Sequence, residues 1–219
     1  MKKSNLILLC LILAVLGTVL ASAVTLRVKM DRHSYVEMVP PNNTFTDVPL
    51  GAFSVVAIDG LDVATISPSP SNVIHLPVRK TERPVYRLSL DTLYISAPPD
   101  GRGTVTLNAP RIRSVLFRGL TNGSVLGFNG DSLSVYALNT TNVLVAGTTL
   151  GRLRVQADTC ANVNLRDVDC KEFFPALTAV ELSVDSSTVR NIRGRWDGTS
   201  SLRLDGYSLN HVEKIDHEQ

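Results

Sequence analysis

From about residue 51 onward, short aliphatic strings alternate with Gly, Asn, Asp and Ser, and no stretch shows the spacing of an amphipathic helix. That pattern predicts short strands joined by tight turns. A longer beat overlies it. Val115, Leu133, Leu153, Leu182 and Leu202 each have an apolar partner ten residues on, at Val125, Val143, Val163, Ile192 and Val212. Gaps between successive first anchors are 18, 20, 29 and 20 residues. Two short strands per coil of about 20 residues produce such spacing. The one long gap holds Asp169 to Pro175, which reads as a loop inserted into a coil. Upstream the beat is looser, through Val63, Val73, Val85, Ile95 and Val105.

A second column supports the register. Just before the second anchors stand Ser124, Asn142, Asn162, Asn191 and His211. Stacked coils would bring Asn142, Asn162 and Asn191 together as an amide ladder. In Leu153-Arg154-Val155 and Leu202-Arg203-Leu204 the Arg points out and its neighbours in. The fold expected over residues 51–215 is all-β: a right-handed parallel β-helix, or solenoid, of about eight coils spaced about 4.8 Å apart. An antiparallel β-sandwich is the alternative, because strands at short regular spacing also describe it. A solenoid needs capped ends, and the polar residues 213–219 are placed to cover the last coil.

The N-terminus is of another kind. Met1 to Asn5 is a short basic head, and Leu6 to Val24 carries no charge. At 1.5 Å per residue this run makes a helix of about 28 Å, close to the thickness of a bilayer core. Residues 1–24 are a signal anchor holding the chain in the membrane through residues 6–24, or a signal peptide cleaved after Ala23 in the small-residue site Ala21-Ser22-Ala23. Both readings put the remainder on the non-cytoplasmic side. Residues 25–50, with Pro40-Pro41-Asn42-Asn43 and Pro49, read as a juxtamembrane tether.

Composition removes several classes. Hydrophobic residues make up 44 % and charged residues 19 % of the 219, so the chain folds rather than staying disordered. A net charge of +2 argues against a nucleic-acid binder built on a dense basic face. Three cysteines do not make a disulfide scaffold. Cys160 and Cys170 lie half a coil apart, a spacing that puts side chains on opposite walls, so a bridge would need the intervening turn to fold back.

No catalytic motif, cofactor motif or metal-ligand spacing stands out. His75 lies mid-strand and reads as an edge residue. Asp158, Asp167 and Asp169 form the best acidic group. Its enzymatic reading is a glycan-acting β-helix with carboxylates on an outer face, and its ordinary reading is solvated turns. Arg outnumbers Lys 16 to 6, and Arg suits bidentate contact with carboxylates or phosphates. The lone Trp, Trp196, sits between Arg193, Arg195 and a Gly-rich turn. Such a Trp packs against a core or, exposed, stacks on a sugar or partner. Trp196, Arg193 and Arg195 are the candidate binding residues.

The segment Phe53 to Ile66, containing Phe53-Ser54 and Gly60-Leu61-Asp62-Val63-Ala64-Thr65-Ile66, resembles the opening of the head GIN domain family. Leu93-Tyr94-Ile95 and Ala109-Pro110-Arg111-Ile112 are similar to the strands that follow it there. The resemblance spans about residues 48–210. Members are described as candidate auto-transporter adhesins of Gram-negative envelopes. The resemblance implies a non-enzymatic, adhesin-like interaction module of the cell envelope, with no catalytic residue and no cofactor to transfer. Its expected partners are envelope proteins or extracellular glycans. A structural part of an envelope complex is the alternative.

Overall fold

The computed structural model describes residues 45–99, 103–120, 122–160, 162–205 and 211–215. The anchor or signal segment 1–24, and the tether up to residue 44, lie outside them. Among the described residues no helix is long and apolar enough to cross a membrane.

The chain is all-β. Its first strands are β1 (Phe45–Pro49), β2 (Val55–Asp59), β3 (Val63–Pro68), β4 (Val73–Pro77), β5 (Val85–Ser89), β6 (Thr92–Ser96) and β7 (Thr104–Ala109). The repetitive part follows as β8 (Ser114–Arg118), β9 (Asn122–Leu126), β10 (Asn129–Leu138), β11 (Asn142–Ala146), β12 (Thr149–Asp158) and β13 (Asn162–Arg166). It ends with β14 (Asp169–Thr178), β15 (Glu181–Asp185), β16 (Thr188–Trp196), β17 (Ser201–Asp205) and β18 (His211–Lys214).

Two sheets of nine strands each form the solenoid. The first, sheet A, runs β1-β4-β7-β3-β9-β11-β13-β15-β17. The second, sheet B, runs β18-β16-β14-β12-β10-β8-β2-β6-β5. From β8 to β17 the chain climbs coil by coil with parallel neighbours, and Val115, Val135 and Val155 align at 20-residue intervals. This regular part makes about five turns, not eight. The shortfall has a topological cause. Residues between β3 and β8 are used for an end structure in which β4 runs antiparallel to β7, and β5 antiparallel to β6. The first coil, β2–β3, is also out of chain order, lying between β6–β7 and β8–β9.

Alternation explains why each strand belongs here. From Leu133 in β10, Leu153 in β12 and Phe173 in β14 onward every second residue is buried, and Leu133, Leu153, Phe173 and Ile192 form one inward column in sheet B. Val143, Val163 and Leu182 form the facing column in sheet A. All seven are at most 1 % exposed, and each such aliphatic burial contributes on the order of 1.5–3 kcal/mol.

The corners are equally regular. Gly60, Gly119, Asn139, Thr159 and Ala179 stand in left-handed backbone at one corner, and Gly127, Gly147, Asp167 and Ser186 at the other. Their amides continue the ladder around the bend. Gly119 N–H donates to the Leu138 carbonyl at 3.0 Å, and Asn139 N–H to that of Asp158 at 3.1 Å. The next residue at the first corner points inward, giving the buried column Leu61, Leu120, Thr140, Cys160 and Val180.

Three sequence expectations are corrected. Residues 169–175 are no inserted loop: they open β14, which keeps register with β12 from Asp169 to Thr178. Phe173 occupies the Leu133–Leu153 column, an aromatic side chain where its neighbours are aliphatic. Leu182 follows Val163 in sheet A, not Leu153 in sheet B, which is why the gap came out nine residues too long. Residues 45–49, at the end of the span expected as tether, are strand: β1 pairs with β4 from Phe45↔Pro77 to Pro49↔Val73.

Candidate functional site

Outward residues of sheet B come from alternate positions of β12, β14, β16 and β18. Arg154 sits opposite Phe174, Gln156 opposite Ala176, Ala176 opposite Arg195, and Arg193 opposite Glu213. Coil stacking thus gathers on one face residues that lie 20 apart in the chain.

The charges on this face are unevenly matched. Arg152 forms a two-pronged ion pair with Glu172, its Nε and a terminal guanidinium nitrogen both 3.1 Å from Oε2. Its guanidinium also lies 5.6 Å over the centre of the half-buried Phe174 ring. Arg193 Nε is 3.0 Å from Glu213 Oε2. Arg154 and Arg195 make no ion pair among the described residues. Their exposed guanidiniums flank Gln156 and Ala176 along an open groove also lined by Phe174, Pro175 and Ile215. A second groove of about 400 Å³ adjoins it between Gln156, Asp158, Arg195 and Trp196.

Trp196 ends β16 opposite the inward Leu177 and is half-buried against the core. What remains open of it faces this second groove. Its turn is held by Asp197, whose carboxylate accepts from the Ser200 hydroxyl at 2.6 Å, the Thr199 hydroxyl at 2.9 Å and the Thr199 N–H at 3.2 Å. The Ser200 hydrogen bond, then that from Thr199, pulls the Asp197 pKa below the ordinary aspartate range.

The amide ladder exists with different members. Asn142 Nδ2 donates to Asn122 Oδ1, and Asn162 Nδ2 to Asn142 Oδ1, each at 3.1 Å. Asn191 lies in the other sheet, opposite Glu172 and His211. The alignment of Val143 with Val125 was two residues off, since Val143 faces Gly123. The Phe117 ring occupies the space a side chain at Gly123 would take, with its nearest carbons 2.9 Å from where that Cβ would be.

The remaining candidates are dispersed. Asp158 ends β12 at one corner, while Asp167 and Asp169 flank the opposite corner, with β13 between them. Among the described residues no group of three or more His, Cys, Asp and Glu is arranged to hold a metal. Cys160 and Cys170 are free and buried, at opposite corners. Burial pushes the Cys160 thiol up to about 11 and the Cys170 thiol up to about 12. Neither is a nucleophile at neutral pH.

His75 has partners the sequence did not suggest. On the outer face of sheet A its Nδ1 is 2.6 Å from Asp47 Oδ1, and its Nε2 is 2.8 Å from Asn108 Nδ2. Asn108 Oδ1 in turn accepts from the Ser67 hydroxyl at 2.8 Å. This chain ties β1 and β4 to β7 and β3. It is a clasp on the end structure, with Asn108 standing between imidazole and hydroxyl.

No family model and no curated protein matches the chain. Its fold is similar in part to several solved structures. A candidate adhesin of Parabacteroides distasonis ATCC 8503 is 12 % identical with a TM-score of 0.45, over 78 % of this chain and 96 % of that one. A candidate adhesin of Bacteroides fragilis NCTC 9343 is 11 % identical with a TM-score of 0.38, over 78 % and 96 %. A candidate lipid-binding protein of Parabacteroides distasonis ATCC 8503 is 11 % identical with a TM-score of 0.32, over 80 % and 98 %. The functional reading rests on the chain's own geometry.

Proposed function

We propose that this protein is a non-enzymatic, adhesin-like binding module of the cell envelope. Its solenoid lies outside the cytoplasm, anchored through residues 6–24 or released after Ala23. Its ligand is an acidic chain molecule, with extracellular acidic polysaccharide the best chemical fit. One observation carries this reading: the guanidiniums of Arg154 and Arg195, which form no ion pair among the described residues, share a groove with Phe174 and adjoin a second groove lined by Trp196. Guanidinium pairs with carboxylate or sulfate, and aromatic faces stack on sugar rings. A rigid sheet holds these groups in place without an ordering cost on binding.

The full chain, purified in neutral detergent, tests this against immobilised polyuronate, a sulfated glycan and a neutral glucan. Retention on the acidic chains that weakens with salt is expected. Arg154→Ala with Arg195→Ala should abolish it, while Arg87→Ala, on β5 at the opposite end of sheet B, should not. Equal retention of both variants, or none of the unaltered protein, would overturn the reading. Cross-linking in cells that recovers only envelope proteins would favour the structural alternative.

A further inference from the structure

The outer face of sheet B changes character along the solenoid axis. One outward row crosses it strand by strand. Ala176 sits opposite Arg195 and Gln156 opposite Ala176, and all three line the groove that holds Arg154. The same row goes on through Tyr136, Leu116 and Ala57, each directly opposite the one before. These three point away from the core, yet each is half-buried. An outward side chain on a sheet loses exposure only by lying over its neighbours, so together they make a low apolar ledge. Contiguous apolar side chains on a solvent face mark a binding surface. Every strand of the ledge, and the neighbouring strand on each side, is among the described residues.

What flanks the ledge leaves it roomy and uncharged. On one side run Val55, Ser114 and Ser134, short side chains in register with one another. On the other side Asp59 and Arg118 pair with each other at 3.8 Å. The ledge ends at β6, where Tyr94 follows Ala57 and the Arg87 guanidinium already covers its ring, 5.2 Å from the centre. The other end of the row opens onto Arg195 and Arg154, cations without an ion pair among the described residues. From Arg195 on β16 to Ala57 on β2 the row crosses six strands, about 24 Å at strand spacing. Along the strands the face is shorter, since β2 and β8 turn away after five residues.

We propose that the acidic chain held at Arg154 and Arg195 lies along the solenoid axis and continues over Tyr136, Leu116 and Ala57, so that the site takes a linear acidic polysaccharide of about six sugars and not a single acidic sugar or chain end. This rests on the binding role argued above. The strand spacing is close to the length of one sugar, so about one sugar falls on each strand. Over β12 to β16 the guanidiniums take the carboxylates. Over β10, β8 and β2 the C–H faces of the sugars pack on the Tyr136 ring and its aliphatic neighbours, while the carboxylates there point to water. The hydroxyls of Ser114 and Ser134 stand beside the track, where sugar hydroxyls can bond with them.

Titration calorimetry of the full chain, in a neutral detergent without a sugar headgroup, compares galacturonate oligomers of about three and about eight units, which cover β12 to β16 and the whole row respectively. The longer oligomer should bind at least roughly tenfold more tightly, more than extra placements on a three-sugar site provide. Tyr136→Ala should remove most of that advantage, about threefold to tenfold for one stacked ring. Leu116→Glu sets a carboxylate under the chain and should remove the advantage altogether, with an unchanged circular dichroism spectrum. A longer oligomer that needs Arg154 and Arg195 but keeps its full advantage in both variants would overturn the axial track and leave the binding role standing. No binding of either oligomer would overturn both. Self-association of the unaltered protein that Leu116→Glu abolishes would make the row a contact between copies and would overturn the track.

Discussion

Gly194 lies directly against Pro175 of the coil below. A Cβ placed on Gly194 would run into the Pro175 carbonyl oxygen and ring. Pro175 has no N–H for the ladder, and the pairing of β14 with β16 is interrupted there, running to Phe173↔Ile192 and resuming at Ala176↔Arg195. The bare backbone of Gly194 lets the two coils approach where the regular bonding lapses. Gly194→Ala should therefore destabilise by several kcal/mol, at or above the usual 1–3 kcal/mol of overpacking, because the obstacle is backbone. A denaturant midpoint unchanged within error would show that the contact is not tight.

The amide ladder predicts coupling. Asn142 both donates to Asn122 and accepts from Asn162, so Asn142→Ala breaks two bonds. A loss of about 1–2 kcal/mol is expected, with Asn122→Ala and Asn162→Ala each costing about half as much. In a double-mutant cycle the Asn122 and Asn142 changes should be less than additive, and strict additivity would mean the ladder bond contributes nothing.

The two solenoid cysteines predict an alkaline loss of stability. Their folded pKa values, about 11 and about 12, lie above the ordinary 9.0 of an exposed thiol. Above pH 9 the unfolded chain sheds protons that the folded chain keeps, so stability falls as pH rises from 9 and the loss levels off above 12. Cys160→Ala with Cys170→Ala should flatten that part of the pH profile. At pH 8 neither thiol of the native protein should react with iodoacetamide, and both should react once the fold is opened.

Thr148 marks a stabilising substitution. It is 1 % exposed at the second corner, and its hydroxyl has no hydrogen-bond partner among the described residues. The next coil has Val168 at the equivalent place, so a valine side chain is accommodated by this corner. Thr148→Val removes an unsatisfied hydroxyl at nearly constant volume and should raise stability by about 1 kcal/mol. A drop in melting temperature would point to a bound water that satisfies the hydroxyl.

The clasp on the end structure should act locally. Asp47→Ala removes the carboxylate beside His75 Nδ1, at an exposed site where such a contact is worth about 1 kcal/mol or less. Amide exchange in β1 should quicken while β11 keeps its protection. Equal acceleration in both strands would mean that the end and the coils unfold as one unit.

Much of this was readable from the residues. Alternation of Leu, Val and Arg specified strands with one buried face, and the 20-residue beat specified stacked parallel coils. Leu133, Leu153, Val143 and Val163 are all inward, as that pattern required. The end structure was not readable, because β4 alternates like a coil strand yet runs antiparallel, and β5, exposed along its whole length, pairs antiparallel with β6.

What the sequence by itself determined is the all-β repeat and the side of each strand that is buried, because strand side chains repeat every two residues. Only the tertiary structure decided which strands share a sheet. Both sheets carry the same alternation, and a slip of two residues leaves every side chain on its original face. That ambiguity put Leu182 in the wrong column and Asn191 in a ladder belonging to Asn122. It also concealed the face that joins Arg154, Phe174 and Arg195, residues about 20 apart in sequence that are neighbours only because coils stack at strand spacing.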